Sequence, residues 1–229
     1  GGLKAGPGGP VGQSSKKMKK TFREYMSLLY FDMAGFVGGM GAVQCFLTAL
    51  EPKQLVFGTD YPYNFYNKSQ EIKNYIENIK KLDLPLFFDV KAGICHQVMV
   101  DKGFVLPGSF VVVPDSHTTI YGAMNCGGTG IGETEMAWVL HFGELWFQIP
   151  QTIKVEVSGT LKNGVTAKDI FLHISGTYGT EVAQYKSMEW TGPAIDALSL
   201  DGRLCIANQS VELGAKFSLF EADQKTLDF

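Results

Sequence analysis

Three short clusters carry side chains able to move protons. Ile94-Cys95-His96-Gln97 opens a helical segment, and Asp115-Ser116-His117-Thr118 follows the apolar run Ser109–Val113. Asn208 and Glu212 lie four apart and so are read onto one helical face. A carboxylate hydrogen-bonded to an imidazole fixes its tautomer and raises its basicity, while the other ring nitrogen meets substrate or water. Two histidines, two carboxylates and a serine hydroxyl therefore supply general acid–base chemistry. A Ser–His–Asp hydrolase is not expected, because Asp115, Ser116 and His117 are consecutive and their side chains should diverge. Taken singly, the residues read blandly. His96 alone reads first as a hydrogen-bonded structural histidine, Ser116 and Thr118 as turn residues, and Glu212 as a solvated helix residue. His141 and His173 fall in helical segments and are assigned to structure. Asp60 ends the run Leu55-Val56-Phe57-Gly58-Thr59. A carboxylate there can bind a metal or carry a proton, but reads first as a cap on the turn before Pro62.

The elements that must position these groups follow from hydrophobic period. Leu28–Asp32, Gln54–Phe57, Leu86–Val90 and Phe110–Val113 are short apolar runs read as buried strands. Thr152–Ser158 alternates, with Ile153, Val155 and Val157 inward. Helices are expected over Gly41–Leu50, over the stripe Ile72, Tyr75, Ile76, Ile79 and Leu82, and over Gly93–Val100 and Glu133–Phe142. Thr166 and Asp169 form a capping box opening a helix through His173, and Asp201–Ala215 reads as the final helix. Strand and helix alternate, so the fold class is α/β. The DSHTT cluster then occupies the strand-end crevice where open α/β sheets bind ligands. The Gly-rich run CGGTGIG after it lets backbone approach a small anionic ligand.

Composition narrows the function classes. Glycine is 27 of 229 residues, about 12% against a usual 7%, clustered at turns and without a collagen period. The net charge of -3 gives no basic excess, so nucleic acid is not an expected partner. No apolar stretch reaches transmembrane length, and residues 1–20 lack the apolar segment of a secretory signal. That Gly-, Ser- and Lys-rich stretch is read as a disordered tail, and residues 221–229 as a frayed end. Cys45, Cys95, Cys126 and Cys205 are spread out, with no CxxC pair to encode a self-contained metal site. Reduced thiols in a cytoplasmic protein are the expectation.

Two resemblances extend this reading. LLYFDMAG, GAVQCFLTAL and LVFGTDYPY resemble the C-terminal part of amidohydrolase-related metal-dependent hydrolases and decarboxylases, over about residues 21–84. There Asp60 matches a metal-site aspartate at the end of the last barrel strand, with a divalent metal such as zinc. No histidine precedes His96, so the remaining ligands are missing. From about Leu86 to Ala222 the order GICHQVM, PGSFVVVPDSHTTIYGAM, GGTGIGETEMAWVL, LWFQIPQTIKVEVSGTL, GVTAKDIFLHI, ANQSVELGAK is similar to the aconitase superfamily. The nearest likeness is to large subunits of 3-isopropylmalate dehydratase, homoaconitase and 2,3-dimethylmalate dehydratase.

The second resemblance implies a hydro-lyase that dehydrates and rehydrates a hydroxy di- or tricarboxylic acid. By it, His96 matches the histidine that pairs with Asp115, and Ser116 contacts substrate. His117 matches the second active-site histidine, with Glu212 its partner, and Asn208 lies nearby. It also implies a [4Fe–4S] cluster, although none of the four cysteines matches a cluster position. A serine base on a small dehydratase subunit is implied as well. Pro114 stands where a small or polar residue is usual. The expected organisation is a tail over 1–20, an amidohydrolase-like βα barrel fragment over 21–84, and an incomplete aconitase-like α/β/α domain over 85–229. These two pieces meet without a linker, the pattern of a fused chain, and the chain alone is expected to be inactive. The other readings are the metal-dependent amidohydrolase, and a non-catalytic polypeptide binding a carboxylate or a subunit.

Overall fold

The computed structural model describes residues 31–32, 55–56, 76–78, 80–81, 83, 85–89 and 91–229. Asp60, Cys45, the expected helix over Gly41–Leu50 and the tail over 1–20 lie outside them. Two parallel sheets organise the rest. The first runs β2 (Leu55–Val56), β1 (Phe31–Asp32), β3 (Phe110–Val113), β4 (Gly127–Gly130). Phe31 lies opposite both Leu55 and Val112, so the early segment shares a sheet with the later one. The second sheet runs β5 (Thr152–Glu156), β6 (Ser187–Thr191), β7 (Phe217–Phe220).

In β3, Val111, Val112 and Val113 are all buried, as a strand covered on both faces requires. Helix α1 (Cys95–Asp101) precedes it and turns His96, Val98, Met99 and Val100 inward. Between β3 and β4 the chain forms a 3₁₀ helix, Ser116–Met124. Helix α2 (Glu133–Phe142) follows β4 and stops at Gly143 in the left-handed region. Helix α3 (Ala167–Tyr178) opens as the capping box predicts, the Thr166 N–H and hydroxyl both donating to Asp169 Oδ2 at 2.7 Å. It runs five residues past His173.

The 3₁₀ helix holds the two sheets together. Thr119 donates to the Ala207 carbonyl at 2.8 Å, and Asn125, just beyond its end, donates to the Phe220 carbonyl at 2.7 Å. One core runs through both halves, including Val111, Tyr121, Cys126, Met188, Ile206 and Phe220.

Several expectations need correcting. Of the expected strand Leu86–Val90, the described residues 86–89 form no strand. Pro85 and Leu86 lie in a turn, only Phe87 makes an isolated bridge, and the Asp89 carbonyl accepts from Ala92 N–H to turn the chain. The Gly-rich run, to which no element was assigned, contains β4. Its glycines are demanded by packing: a Cβ on Gly130 would lie 2.4 Å from the Asp115 carbonyl oxygen.

Asp201–Ala215 is not one helix. Helix α5 (Leu200–Gln209) starts from a Ser199 cap and gives way to a 3₁₀ turn, Ser210–Leu213, closed by Gly214. Ser210 Oγ bonds back to the Ile206 carbonyl and across to Ser218 Oγ, both at 2.8 Å, which competes with regular helix there. Nor is it the last element. β7 and α6 (Gln224–Leu227) follow it, and the short α4 (Pro193–Asp196) precedes it.

The last nine residues are anchored. Asp223 caps α6 and binds the Arg203 guanidinium through both oxygens, one at 3.0 Å. Arg203 is 2% exposed, so the pair holds a buried charge in place. Its hydrogen bond pulls the Asp223 carboxyl down to about 2, against opposition from burial. Because the folded value lies below the unfolded one of about 3.9, this stabilisation is complete above pH 4. It is lost as pH falls through about 2. Asp223→Asn is therefore expected to lower neutral-pH stability by about 1–2 kcal/mol, discounted for the half-exposed carboxylate. It should also flatten the acid limb of a Tm-against-pH curve; an unchanged limb would exclude the pair as its cause.

Candidate active site

The strand end of β3 and the start of the 3₁₀ helix bring the proton-carrying residues together. Asp115 is the cap of that 3₁₀ helix, its Oδ1 accepting from His117 N–H at 2.7 Å. The same oxygen lies 2.9 Å from His96 Nε2, carried there by the buried face of α1. A carboxylate only accepts, so His96 Nε2 bears a proton, and its Nδ1 lies 3.2 Å from the Tyr121 hydroxyl. His96 is 7% exposed and Tyr121 is fully buried. Both ring nitrogens of His96 thus face protein. The expectation that its second nitrogen meets substrate gives way to a holding role for Asp115.

His117 sits at the surface beside this pair. Its Nε2 is 3.3 Å from Glu212 Oε1, although their elements lie 95 residues apart. Ser116 Oγ is 3.1 Å from His117 Nδ1, and Asp115 Oδ1 is 3.9 Å from the same nitrogen. The three consecutive side chains therefore do not diverge as expected. They still form no hydrolase relay, because serine and aspartate meet the same ring nitrogen instead of opposite ones. Glu212 reaches His117 from the 3₁₀ turn, not from a helical face shared with Asn208. Asn208 Oδ1 takes a long 3.4 Å contact from Gln209 and does not line the adjoining cavity.

Burial alone would raise the Asp115 carboxyl. The hydrogen bond and charge of His96, with the backbone N–H and charge of His117, outweigh it, and the carboxyl lies below its ordinary value. Asp115 is thus a held anion at neutral pH. It borders a cavity of about 350 Å³ together with Ser116, Thr129, Gly130, Glu135 and Lys216. Neither Glu135 nor Lys216 was singled out from the sequence. Only the fold brings α2 and the approach to β7 to the same wall.

Residues 48–229 match the family model described as "Aconitase family (aconitate hydratase)". The chain belongs to the aconitase family. The family match takes in residues 48–84, which carried the amidohydrolase resemblance. Curated relatives in the family include "3-isopropylmalate dehydratase large subunit 1" of Methanopyrus kandleri, 38% identical over 181 residues, 78% of this chain and 43% of the relative. The "Probable methanogen homoaconitase large subunit" of Methanosarcina mazei is 38% identical over 78% of this chain and 46% of its own length. The "3-isopropylmalate dehydratase large subunit" of Caldicellulosiruptor saccharolyticus is 42% identical over 73% and 39%. The chain spans less than half the length of these aconitase-family relatives. Among the described residues no helix is long and apolar enough to cross a membrane.

The described cysteines do not fit the family's iron–sulfur cluster. Cys95 opens α1, Cys205 lies within α5, and Cys126, just before β4, is buried. Burial pushes the Cys126 thiol up to about 11, against the opposing hydrogen bond from Ser109, so it is no thiolate ligand at neutral pH. No group of three His, Cys, Asp or Glu side chains among the described residues could hold a metal. Timed iodoacetamide labelling, read by mass spectrometry, should modify half-buried Cys95 and Cys205 well before Cys126. Equal rates would contradict the buried, protonated thiol.

Proposed function

We propose that this chain carries the acid–base part of an aconitase-family hydro-lyase acting on a hydroxy di- or tricarboxylic acid, of the 3-isopropylmalate dehydratase or homoaconitase large-subunit type. The observation that carries the reading is the continuous set His96–Asp115, Ser116–His117–Glu212, of which Asp115 and Ser116 line the cavity. Dehydration of such an acid requires a proton delivered to the leaving hydroxyl and a proton removed from the neighbouring carbon. His117 is the acid in this reading: its Nε2 lies 3.3 Å from the Glu212 carboxylate, and the ring is exposed enough to reach a ligand. Ser116 donates to, or accepts from, the substrate hydroxyl. Asp115, anchored by His96, keeps the 3₁₀ start rigid. Asn208 is assigned a supporting place at the end of α5. The base for the carbon-bound proton is assigned to a small-subunit partner, in keeping with the relatives' being named large subunits.

Thermal unfolding with ligands tests this reading. L-Malate should raise Tm in a saturable way, and succinate, which lacks the hydroxyl, should do so less. His117→Asn and Glu212→Gln should each erase that difference. An equal response to both acids, or none, would contradict it. With iron and sulfide supplied anaerobically, these 229 residues alone should show no dehydratase turnover, and substantial turnover would refute that part. The amidohydrolase reading, whose one metal-site residue is Asp60, would need a zinc-dependent activity abolished by Asp60→Ala.

A further inference from the structure

The cavity beside Asp115 is lined by one cation. Lys216 reaches it from the start of β7, its Nζ donating to the Gly130 carbonyl at 3.1 Å. The ammonium also lies over the Phe147 and Tyr185 rings, 5.5 and 5.9 Å from their centroids. These rings replace water on two sides, and burial lowers the lysine's affinity for its proton, with Glu135 opposing. Yet Lys216 makes no ion pair among the described residues. The two carboxylates nearby are already engaged. Asp115 is taken by His96 and His117, and Glu135 accepts from Gly132 N–H at 2.7 Å. An ammonium has three donors, and one goes to Gly130. A partly desolvated cation without an ion-pair partner among the described residues favours an incoming anion.

We infer that Lys216 binds a carboxylate of the ligand and so fixes its position relative to Ser116 and His117. The inference rests on the hydroxy-acid reading above and names a subsite for it. A diacid held this way spans the cavity, with one carboxylate on the ammonium and the hydroxyl-bearing carbon toward the Ser116 wall. The aromatic faces hold the ammonium in place, which an unshielded surface lysine would not share. Lys216 is thereby a specificity residue favouring diacids over monoacids.

The test is an NMR titration of the 15N-labelled 229-residue chain with L-malate, followed at the amides of Gly130, Gly132, Ser116 and His117. Lys216→Met should weaken binding about tenfold or more and abolish the Gly130 and Gly132 shifts. Lys216→Arg should restore most of the affinity. Should the methionine variant fold poorly, Lys216→Gln, which keeps a donor for Gly130, carries the same expectation. If Lys216→Met binds malate like the parent chain while the Ser116 and His117 amides still move, the inference falls and the function stands. If binding depends on Lys216 but those two amides never move, the cavity binds diacids and the hydro-lyase reading falls. If malate moves no amide, both fall.

Discussion

Gly122→Ala is expected to cost more than about 3 kcal/mol, beyond the usual range for overpacking, and to leave little folded chain. A Cβ at this position would lie 1.5 Å from the Ser218 carbonyl oxygen and 2.5 Å from its carbon. The obstacle is backbone of β7, which no rotamer change can move aside. The 3₁₀ helix must approach β7 this closely because it is the bridge between the two sheets, with Thr119 and Asn125 bonded on either side of Gly122. Relief would require the helix to lift away, breaking those bonds and displacing Asp115 from the strand end. Urea unfolding and the dispersion of an amide spectrum check this. A variant within about 1 kcal/mol of the parent would show that the approach is looser than described.

Asp115→Ala is the second large effect, expected at about 2–4 kcal/mol. Two donors lose their acceptor together. One is the buried ring of His96, and the other is the His117 N–H that starts the 3₁₀ helix. A buried donor left unsatisfied costs about 1–3 kcal/mol, and a lost cap about 1 kcal/mol. The charge also matters. Asp115 titrates below its ordinary value, so its stabilisation is present above the unfolded carboxylate pKa and is lost as pH falls below that value. Asp115→Ala should therefore remove part of the acid dependence as well as lowering urea stability at neutral pH. A change under about 0.5 kcal/mol would mean that the His96 contact carries nothing.

What the sequence disclosed, and what it hid, follows from where side chains report on structure. Phe110–Val113 and Glu133–Phe142 are found at the positions their patterns indicate, because continuous apolar burial and a helical stripe ending at Gly143 are both written in side chains. β4 is Gly-Gly-Thr-Gly, which has almost no side chains to show a period, and its strand is set by register against β3. β7 was hidden for another reason. Its buried positions are Ser218 and Phe220, and a polar residue in the inward row breaks the alternation. Ser218 belongs there because it accepts from the buried Trp190 Nε1 at 2.9 Å, a partner 28 residues away.

At the site, the residue types of His96, Asp115, His117 and Glu212 were legible. The tertiary facts were not. Tyr121 closes off the second His96 nitrogen, and Ser116 turns toward His117 only because Asp115 caps a 3₁₀ helix there. Lys216 gave no local signal, since its place beside Gly130 depends on how β7 lies against β4.

Imidazole 15N spectra recorded through a titration with L-malate bear most directly on the convergence of the two histidine–carboxylate pairs around one ligand. The His117 nitrogens should move strongly and the His96 nitrogens slightly, on one saturation curve with one Kd. His117 nitrogens that stay still at saturating malate, or two curves with different midpoints, would contradict a shared hydroxy-acid site.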